Sequence, residues 1–198
     1  MKIGATILAA GESARMGTPK QLLQYEKTNF LRHAVDAAIG SPVDITAVVL
    51  GAHFHLILPQ LKGKPVNVIM NDQWSNGIGT SIRSGVNYFL TEHVDVAAVV
   101  LMVCDQPFVT SQTITALINE FKRQETTIVA CWYRGFASLP AIFHRRLFGE
   151  LLQLDDDSGP RPVILRHQFD SSAIEFPEAG FDVDTPLDYE RLAAKNKT

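Results

Sequence analysis

The amino-acid sequence predicts one α/β domain in which a mostly parallel sheet carries helices on both faces. Strand-like and helix-like segments alternate along the chain, which is the pattern of βαβ units. The strand-like segments at residues 3–10 and 96–104 are unbroken apolar runs, as expected for strands covered on both faces. With 198 residues, 46% hydrophobic and 20% charged, the chain suits a single domain over residues 1–198 with a full core.

Strands are predicted where a short aliphatic or β-branched run ends at a glycine or a polar residue. The run at residues 95–103 is the most apolar of them and is expected in the centre of the sheet. Together the predicted strands cover residues 3–10, 44–51, 66–71, 95–103 and 126–133, with shorter strands at 140–144 and 181–184.

Helices are predicted where apolar residues recur at helical spacing between capping and stop residues. Asn29 is a predicted N-cap and Gly40 a stop, Thr110 or Ser111 caps a later helix, and Pro186 lies near the first turn of the last one. The predicted helices cover residues 29–40, 52–61, 77–92, 110–124, 145–154, 161–167 and 186–195.

Residues 134–172 break this alternation, because their spacing is irregular and they contain several prolines. We therefore expect them to form an elaboration on one edge of the domain, where a second substrate binds.

Composition and charge exclude several classes of protein. The formal net charge is −3, and no basic stripe with interleaved aromatics exists, so nucleic acid is not expected as a partner. The longest apolar run, 96–104, is too short to cross a bilayer, and no membrane association is expected. Cys104 and Cys131 lie in apolar, β-branched surroundings, which favours core thiols of a cytoplasmic protein.

The segment GESARMGTPK leaves the first strand at the edge where open parallel sheets bind ligands. Gly11 and Gly17 allow backbone N–H groups to approach an anion, and Arg15 and Lys20 add two positive charges. This combination predicts a polyphosphate site, against the alternative of a plain loop with solvated charges. The glycine and lysine spacing matches neither the P-loop nor the dinucleotide-binding fingerprint.

Carboxylates follow two of the predicted strands. Asp105 follows the most apolar strand, and Asp182 and Asp184 lie in the segment FDVDTP. An unpaired buried carboxylate is costly, whereas carboxylate oxygens are suitable ligands for Mg²⁺. The alternative to metal binding is that Asp105 caps a helix or forms a turn, and that Asp184 caps a helix. A cationic loop with such acids predicts metal-assisted phosphoryl or nucleotidyl transfer without a covalent nucleophile.

Five segments together resemble the family of molybdenum cofactor cytidylyltransferases and their close relatives: LAAGESARMGTPKQLL, NDQWSNGIGTSIRSG, CDQP, DDDSGPRPVI and DVDTPLDY. The resemblance extends from residue 3 to about residue 190. It implies a single Rossmann-like nucleotidyltransferase domain. It also implies transfer of CMP from CTP to the terminal phosphate of molybdenum-loaded molybdopterin, with release of pyrophosphate, and a molybdenum oxidoreductase as recipient of the product.

The resemblance also implies roles for individual residues. Arg15, Lys20 and Asp105 would be catalytic, Asp105 and Asp184 would hold Mg²⁺, and Gly159 and Arg161 would bind the acceptor. Guanylyl-transferring cousins usually read LAGG where this chain has LAAG, which favours CTP over GTP. The nucleotide would be bound by Leu8, Ala9, Ala10, Gly11, Arg15, Lys20, Gly79 and Ser81.

The chain departs from the family pattern where the pterin would be held. Ser138 stands where glycine is usual, and Asp156 and Pro160 replace a glycine and an alanine, although Gly159 and Arg161 are retained. Two alternatives therefore remain open. One is a related transferase acting on a sugar phosphate or other small phosphate, and the other is a non-catalytic carrier that delivers the molybdenum cofactor to an oxidoreductase.

Other side chains allow more than one interpretation. Trp74 either stacks on a base or pterin or packs within its loop. Arg161 either pairs with a cofactor phosphate or caps a local carboxylate such as Asp157. His53 and His55 are expected at a solvated helix start rather than in a metal site.

Overall fold

A computed structural model describes residues 1–195 of the chain. Its strands are β1 (Lys2–Ala9), β2 (Gln24–Tyr25), β3 (Thr28–Asn29), β4 (Ile45–Leu50), β5 (Asn67–Met70), β6 (Val96–Val103), β7 (Ile128–Tyr133), β8 (Phe136–His144) and β9 (Ser171–Glu175). Its α-helices are α1 (Phe30–Ile39), α2 (Phe54–Ile57), α3 (Ile78–Thr91), α4 (Ser111–Gln124), α5 (Phe148–Leu151), α6 (Arg161–Arg166) and α7 (Pro186–Lys195).

The main sheet has seven strands in the order β5-β4-β1-β6-β8-β7-β9. Strands β5, β4, β1 and β6 are mutually parallel, β8 is antiparallel to both of its neighbours, and β9 is parallel to β7. Leu8 near the end of β1 lies opposite Val103 at the end of β6. The loop after β1 and the segment after β6 therefore leave the sheet at the same edge.

Helices cover both faces of the sheet, as predicted. One core contains buried residues of α1 and α4, and the other contains buried residues of α3, α5 and α6. A third cluster joins Met16 of the first loop to Val183 and to Leu192 of α7. This cluster brings the segment that precedes α7 against the first loop.

Residues 134–172 are more central than the sequence predicts. Strand β8 lies inside the sheet between β6 and β7, rather than on an edge, and it begins at Phe136 instead of Pro140. Ala141, Ile142 and Phe143 are completely buried, so this strand needs neighbours on both sides. It runs antiparallel because only Arg134 and Gly135 connect it to β7, and parallel strands need a longer crossover.

Two further predictions need correction at the end of the chain. The strand predicted at residues 181–184 is wrong, because this stretch is outside the sheet and is held by a hydrogen bond from Val183 N to Asp105 O of 3.0 Å. Strand β9 is absent from the predicted strands, because its sequence SSAIE is short and mostly polar, as suits an exposed edge.

Three predicted helices are present in shorter form. The helix predicted at 145–154 is reduced to α5 and a preceding 3₁₀ turn, Arg145–Leu147. That at 52–61 divides into α2 and a 3₁₀ turn, Leu58–Leu61, that contains Pro59. The helix at 161–167 is present as α6. Within residues 1–195, no helix is both long and apolar enough to span a membrane.

Both cysteines are buried and unpaired, as expected of core thiols. Burial raises the pKa of the Cys104 thiol to about 12, so it stays protonated at neutral pH. Although Cys104 directly precedes Asp105, it is therefore not a nucleophile.

Candidate active site

The loop after β1 is held in shape by polar contacts at both ends. The buried Gln21 donates from Nε2 to the carbonyl oxygens of Ala9 and Gly11, both at 2.9 Å. The backbone N–H of Lys20 donates to Ser13 Oγ at 3.0 Å. No atom lies within 4 Å of the position that a Cβ at Gly11 would take, so the backbone is open to a ligand there.

Four charged residues predicted from three distant segments meet at this edge of the sheet. Lys20 Nζ lies 2.6 Å from Asp105 Oδ2 and 2.7 Å from Asp184 Oδ1, and Arg15 Nη2 lies 2.9 Å from Asp184 Oδ2. The side chains of Lys20 and Asp105 are only 16% and 19% exposed, whereas that of Arg15 is 70% exposed. The cluster therefore has a buried ion pair at its centre and a long, solvent-exposed cation at its rim.

The pKa shifts follow from this arrangement. Burial alone lowers the pKa of Lys20, but the carboxylates of Asp105 and Asp184 outweigh it and raise the pKa above its usual value. Burial likewise raises the pKa of Asp184, but Lys20 and Arg15 outweigh it and the pKa is lowered. The Lys20–Asp184 pair is thus fully ionised at neutral pH.

The capping alternatives for the two aspartates are wrong. Helix α4 is capped by Thr110, not by Asp105. At the start of α7, the backbone N–H of Asp188 donates to Thr185 Oγ1 at 3.3 Å and that of Thr185 donates to Asp188 Oδ2 at 2.9 Å. These two residues form the cap, and the oxygens of Asp184 contact Lys20 and Arg15 instead. Both carboxylates therefore face the charged cluster.

A cleft of about 260 Å³ opens beside the loop, and we call it the loop cleft. Trp74 both lines it and packs against Gly51, where a Cβ would collide with the indole, so both interpretations of Trp74 have a structural basis. The lining residues are Leu8, Ala9, Ala10, Gly11, Ser13, Lys20, Gln21, Trp74, Gly77, Ile78, Ser81, Val103, Cys104 and Asp105.

Two of the predicted nucleotide-binding residues, Arg15 and Gly79, do not line the loop cleft. Arg15 lies exposed at the rim of the charged cluster instead. Ser81 lines the loop cleft and accepts a hydrogen bond from the buried Asn71 Nδ2 at 3.0 Å. Gly79 does not line the cleft, because its N–H donates to Asp156 O at 2.8 Å and a Cβ there would collide with Asp155 O. The lack of a side chain at Gly79 lets the 155–157 segment lie against the start of α3.

A second cleft, also of about 260 Å³, lies on the other side of Asp105, and we call it the hairpin cleft because the β7–β8 hairpin forms one wall. Its lining residues are Val103, Asp105, Gln106, Tyr133, Arg134, Phe136, Ser138, Leu139, Asp182 and Asp184. Val103 and Asp105 line both clefts. Asp105 is therefore accessible from two separate spaces.

A buried amide organises the hairpin cleft. Gln106 Nε2 lies 3.0 Å from Asp182 Oδ1, 2.9 Å from Ala179 O and 3.2 Å from the Tyr133 hydroxyl. Burial raises the pKa of Asp182, and the neighbouring carboxylates of Asp105 and Asp184 add to this rise. Gln106 therefore anchors a third carboxylate close to the two that contact Lys20.

A larger cavity of about 390 Å³, which we call the edge cavity, shares the lining residue Phe136 with the hairpin cleft. The guanidinium carbon of Arg161 lies 4.5 Å from the centre of the Phe136 ring, a cation–π stack. Arg161 lines this cavity, whereas Gly159 lines none of the three. Arg83, rather than Arg161, pairs with a carboxylate of the 155–157 segment, that of Asp156.

Sequence reasoning missed several residues that shape the site, namely Ser13, Gln21, Asn71, Gln106 and Arg134. Their partners are separated by 7 to 76 residues along the chain, and no local pattern reports such contacts. The one available signal is position, because Gln21 and Gln106 directly follow Lys20 and Asp105.

The two carboxylates fit a hard cation. Asp105 Oδ2 and Asp184 Oδ1 both contact Lys20 Nζ, so they converge on a single cationic position. Within residues 1–195, no group of three or more histidine, cysteine or acidic side chains could hold a metal by itself. Two converging carboxylate oxygens are the kind of donor set that Mg²⁺ takes, together with water and substrate phosphate.

A parallel sheet that presents a cationic loop and paired acids at its carboxyl edge defines a nucleotide-binding enzyme of the transferase type. The chain belongs to the MobA-like NTP transferase domain family, whose model matches residues 5–171. It is therefore a member of a nucleotidyltransferase family.

The chain is also similar to individual proteins. A probable molybdenum cofactor guanylyltransferase of Bacillus mycoides is 28% identical over 74% of this chain and 70% of its own length. The purine catabolism protein PucB of Bacillus subtilis is 28% identical, with 93% of both chains covered. The crystal structure of Rv0371c from Mycobacterium tuberculosis superposes with a TM-score of 0.80 at 31% identity, covering 98% of this chain and 99% of that one.

Proposed function

We propose that this protein is a Mg²⁺-dependent cytidylyltransferase that transfers CMP from CTP to the terminal phosphate of molybdenum-loaded molybdopterin and releases pyrophosphate. The observation that carries the proposal is the position of Asp105, which lines both the loop cleft and the hairpin cleft. A transferase must bring two substrates to one reacting centre, and two clefts that share one carboxylate provide this arrangement.

In this proposal the loop cleft binds the nucleotide. An acceptor phosphate oxygen attacks the α-phosphorus of CTP, a new P–O bond forms, and the bond from the α-phosphorus to the bridging oxygen breaks. The bond electrons leave with pyrophosphate. Lys20 and Arg15 bind the triphosphate oxygens and balance the charge that develops on them. The open backbone at Gly11 leaves room for a phosphate.

Asp105 and Asp184 would hold the divalent cation, for which the convergence of their oxygens on Lys20 Nζ is the support. When bound, the cation supplies positive charge at the α-phosphate and the leaving group. Lys20 must then move from between the carboxylates toward the triphosphate. Rv0371c of M. tuberculosis, which has also been crystallised in complex with manganese, is 29% identical over 97% of this chain and 98% of that one, with a TM-score of 0.79.

The choice of CTP rests on Ala10, which is 4% exposed and lines the loop cleft. Its methyl group narrows the cleft relative to the glycine usual in guanylyl-transferring relatives, and this favours the smaller pyrimidine base. GTP is the second candidate, because the Bacillus mycoides relative is a probable guanylyltransferase.

The proposed acceptor is chosen from the shape and lining of the hairpin cleft and the edge cavity. The hairpin cleft and the edge cavity share Phe136, so an elongated acceptor can extend from the acids to Arg161. The stacked Arg161 and the partly exposed Trp132 provide flat surfaces of the kind that contact a planar ring such as a pterin. Binding by Arg161 and Gly159 is part of this proposal, and a Cβ at Gly159 would meet no atom within 4 Å, so its backbone is open to a ligand.

The test is pyrophosphate release from each of the four nucleoside triphosphates with Mg²⁺, with and without molybdenum-loaded molybdopterin. We expect the highest rate with CTP and the cofactor. Faster release with GTP would replace CTP in the proposal. Release that depends on a sugar phosphate instead would replace the acceptor, and cofactor delivery without any release would identify a carrier.

A further inference from the structure

More acidic than basic side chains line the hairpin cleft. Among the described residues that line it, the carboxylates are Asp105, Asp182 and Asp184, and Arg134 is the only cationic side chain. Asp105 and Asp184 are paired with Lys20 and Arg15, whereas Asp182 has its ion pair with Arg134 at the longer distance of 3.6 Å. An anionic acceptor that enters beside Asp182 is repelled by this carboxylate and needs a positive group there. We propose that Arg134 binds the anionic group of the acceptor, a phosphate, and that Asp182 holds Arg134 until the acceptor arrives. This inference rests on the proposed function.

The fold places Arg134 at the wall of the cleft. Arg134 has a φ of 51° and Gly135 a φ of 83°, so both connecting residues of the β7–β8 hairpin are in the left-handed region. Two successive positive φ angles are typical of tight two-residue hairpin turns. A positive φ is uncommon for an arginine, because residues other than glycine, asparagine and aspartate seldom adopt it. The arginine is thus held at the tip of a short, well-defined turn.

The absence of a side chain at Gly180 allows Arg134 to lie where it does. A Cβ at this position would be 3.0 Å from Tyr133 Cδ2 and 3.3 Å from Arg134 Nε, which is tighter than ordinary packing. The arginine therefore lies across the bare backbone of Gly180, beside Asp182. A Cβ at residue 180 would make the Tyr133 ring and the guanidinium shift by a few tenths of an ångström.

Arg134 is held loosely, unlike the cations of the loop cleft. Its Nη1 lies 3.6 Å from Asp182 Oδ2, beyond hydrogen-bond distance, and its side chain is 61% exposed. Asp182 itself is fixed, because its other oxygen accepts the hydrogen bond from Gln106. Arg134 can therefore leave Asp182 without disturbing the cleft.

The chemistry of the guanidinium suits this exchange. It presents several N–H donors in a plane and binds a phosphate through two parallel hydrogen bonds. Two such hydrogen bonds are stronger than the single 3.6 Å ion pair with Asp182 that they would replace. Lys20 and Arg15 are both paired with carboxylates and neither lines the hairpin cleft, whereas Lys20 lines the loop cleft.

Phenyl phosphate is the probe, because it combines a phosphate monoester with a ring that can lie against Phe136. Calorimetric titration compares the wild type with Arg134→Ala, Asp182→Asn, Lys20→Ala and the matched control Arg146→Ala, whose arginine pairs with Asp170 at the opposite end of β8. We expect Arg134→Ala to weaken phenyl phosphate binding about ten- to a hundredfold. Asp182→Asn should tighten it several-fold, and Arg146→Ala should change nothing.

Binding by the wild type that survives in Arg134→Ala but is lost in Lys20→Ala would overturn the inference, as would no binding by the wild type. Weaker binding in Asp182→Asn would overturn the role of Asp182. If Arg134→Ala melts at a lower temperature than the wild type, Arg134→Lys provides a second test, because it keeps the charge but removes the paired N–H donors and should also weaken binding. Titration with CTP and Mg²⁺, which Arg134→Ala should leave unchanged, separately tests the proposed nucleotide.

Discussion

The two clefts that share Asp105 hold their cations in opposite ways. In the loop cleft, Lys20 contacts two carboxylates at 2.6 and 2.7 Å and is largely buried. In the hairpin cleft, Arg134 lies 3.6 Å from Asp182 and is mostly exposed. The difference follows from the backbone, because the first cleft lies between the ends of adjacent parallel strands and the second lies beside the tip of a hairpin. The comparison teaches that one fold can combine a tightly held ion pair with an exchangeable one.

The change with the largest expected effect removes the carboxylate that both clefts share. Asp105→Asn should reduce pyrophosphate release at least about a thousandfold, because a metal ion stabilises the transition state by several kcal/mol. The fold should remain, since Lys20 keeps its contact with Asp184. Steady-state kinetics and thermal melting measure the two effects.

The matched control is Asp95→Asn, which removes a carboxylate from an exposed ion pair with Lys2 and should leave turnover unchanged. If Asp105→Asn instead melts far below the wild type, Asp105 supports the structure rather than the reaction.

The next change affects the loop cleft alone and tests its role in binding the nucleotide. Lys20→Ala should weaken binding of CTP with Mg²⁺ about ten- to a hundredfold, because one charge-assisted contact is lost. Calorimetric titration measures the affinity, and Lys122→Ala, an exposed change near the end of α4, is the control. Unchanged affinity and unchanged turnover would mean that Lys20 only pairs with Asp105 and Asp184 and does not bind the nucleotide.

A smaller effect is expected for base choice in the loop cleft. Ala10→Gly should narrow the preference for CTP over GTP by up to about tenfold, because removing one methyl group makes room for a purine. Thermal shifts with all four nucleotides provide the measurement, with Ala193→Gly in the exposed part of α7 as the control. Equal stabilisation of the wild type by CTP and GTP would contradict the cytidylyl proposal.

The smallest effect concerns the pH dependence of the tight ion pair. The pKa of Asp184 is lower in the folded protein than its ordinary value of 3.8, so its contribution to stability is present above that value and is lost as the pH falls through the folded pKa. The difference in melting temperature between the wild type and Asp184→Asn should therefore shrink as the pH is lowered from 6 to about 3. A difference that stays constant over this range would show that the ion pair does not contribute.

The α/β architecture and most of its elements could be predicted, because buried parallel strands and amphipathic helices are local patterns. Lys20 and Asp105 could be predicted for the same reason, since each follows a recognisable strand closely. Arg134 and Gln106 could not, because their surroundings arise from contacts between segments far apart in the chain. The position of β8 could not be predicted either, since an apolar strand has the same local pattern in either direction and at several places in a sheet.

The fold class, the helix cap at Asn29 and the residues of the charged cluster follow from the sequence alone, because hydrophobic period, capping chemistry and charge are properties of short segments. For the helix after residue 110 the sequence left Thr110 and Ser111 as alternatives, and the structure has Thr110. Only the tertiary structure decided that the acids converge on Lys20, that Gly79 packs against the 155–157 segment, and that two clefts meet at Asp105. The physical reason is that strand order and the small third core, which joins Met16 to Val183, set these distances, and both depend on long-range packing.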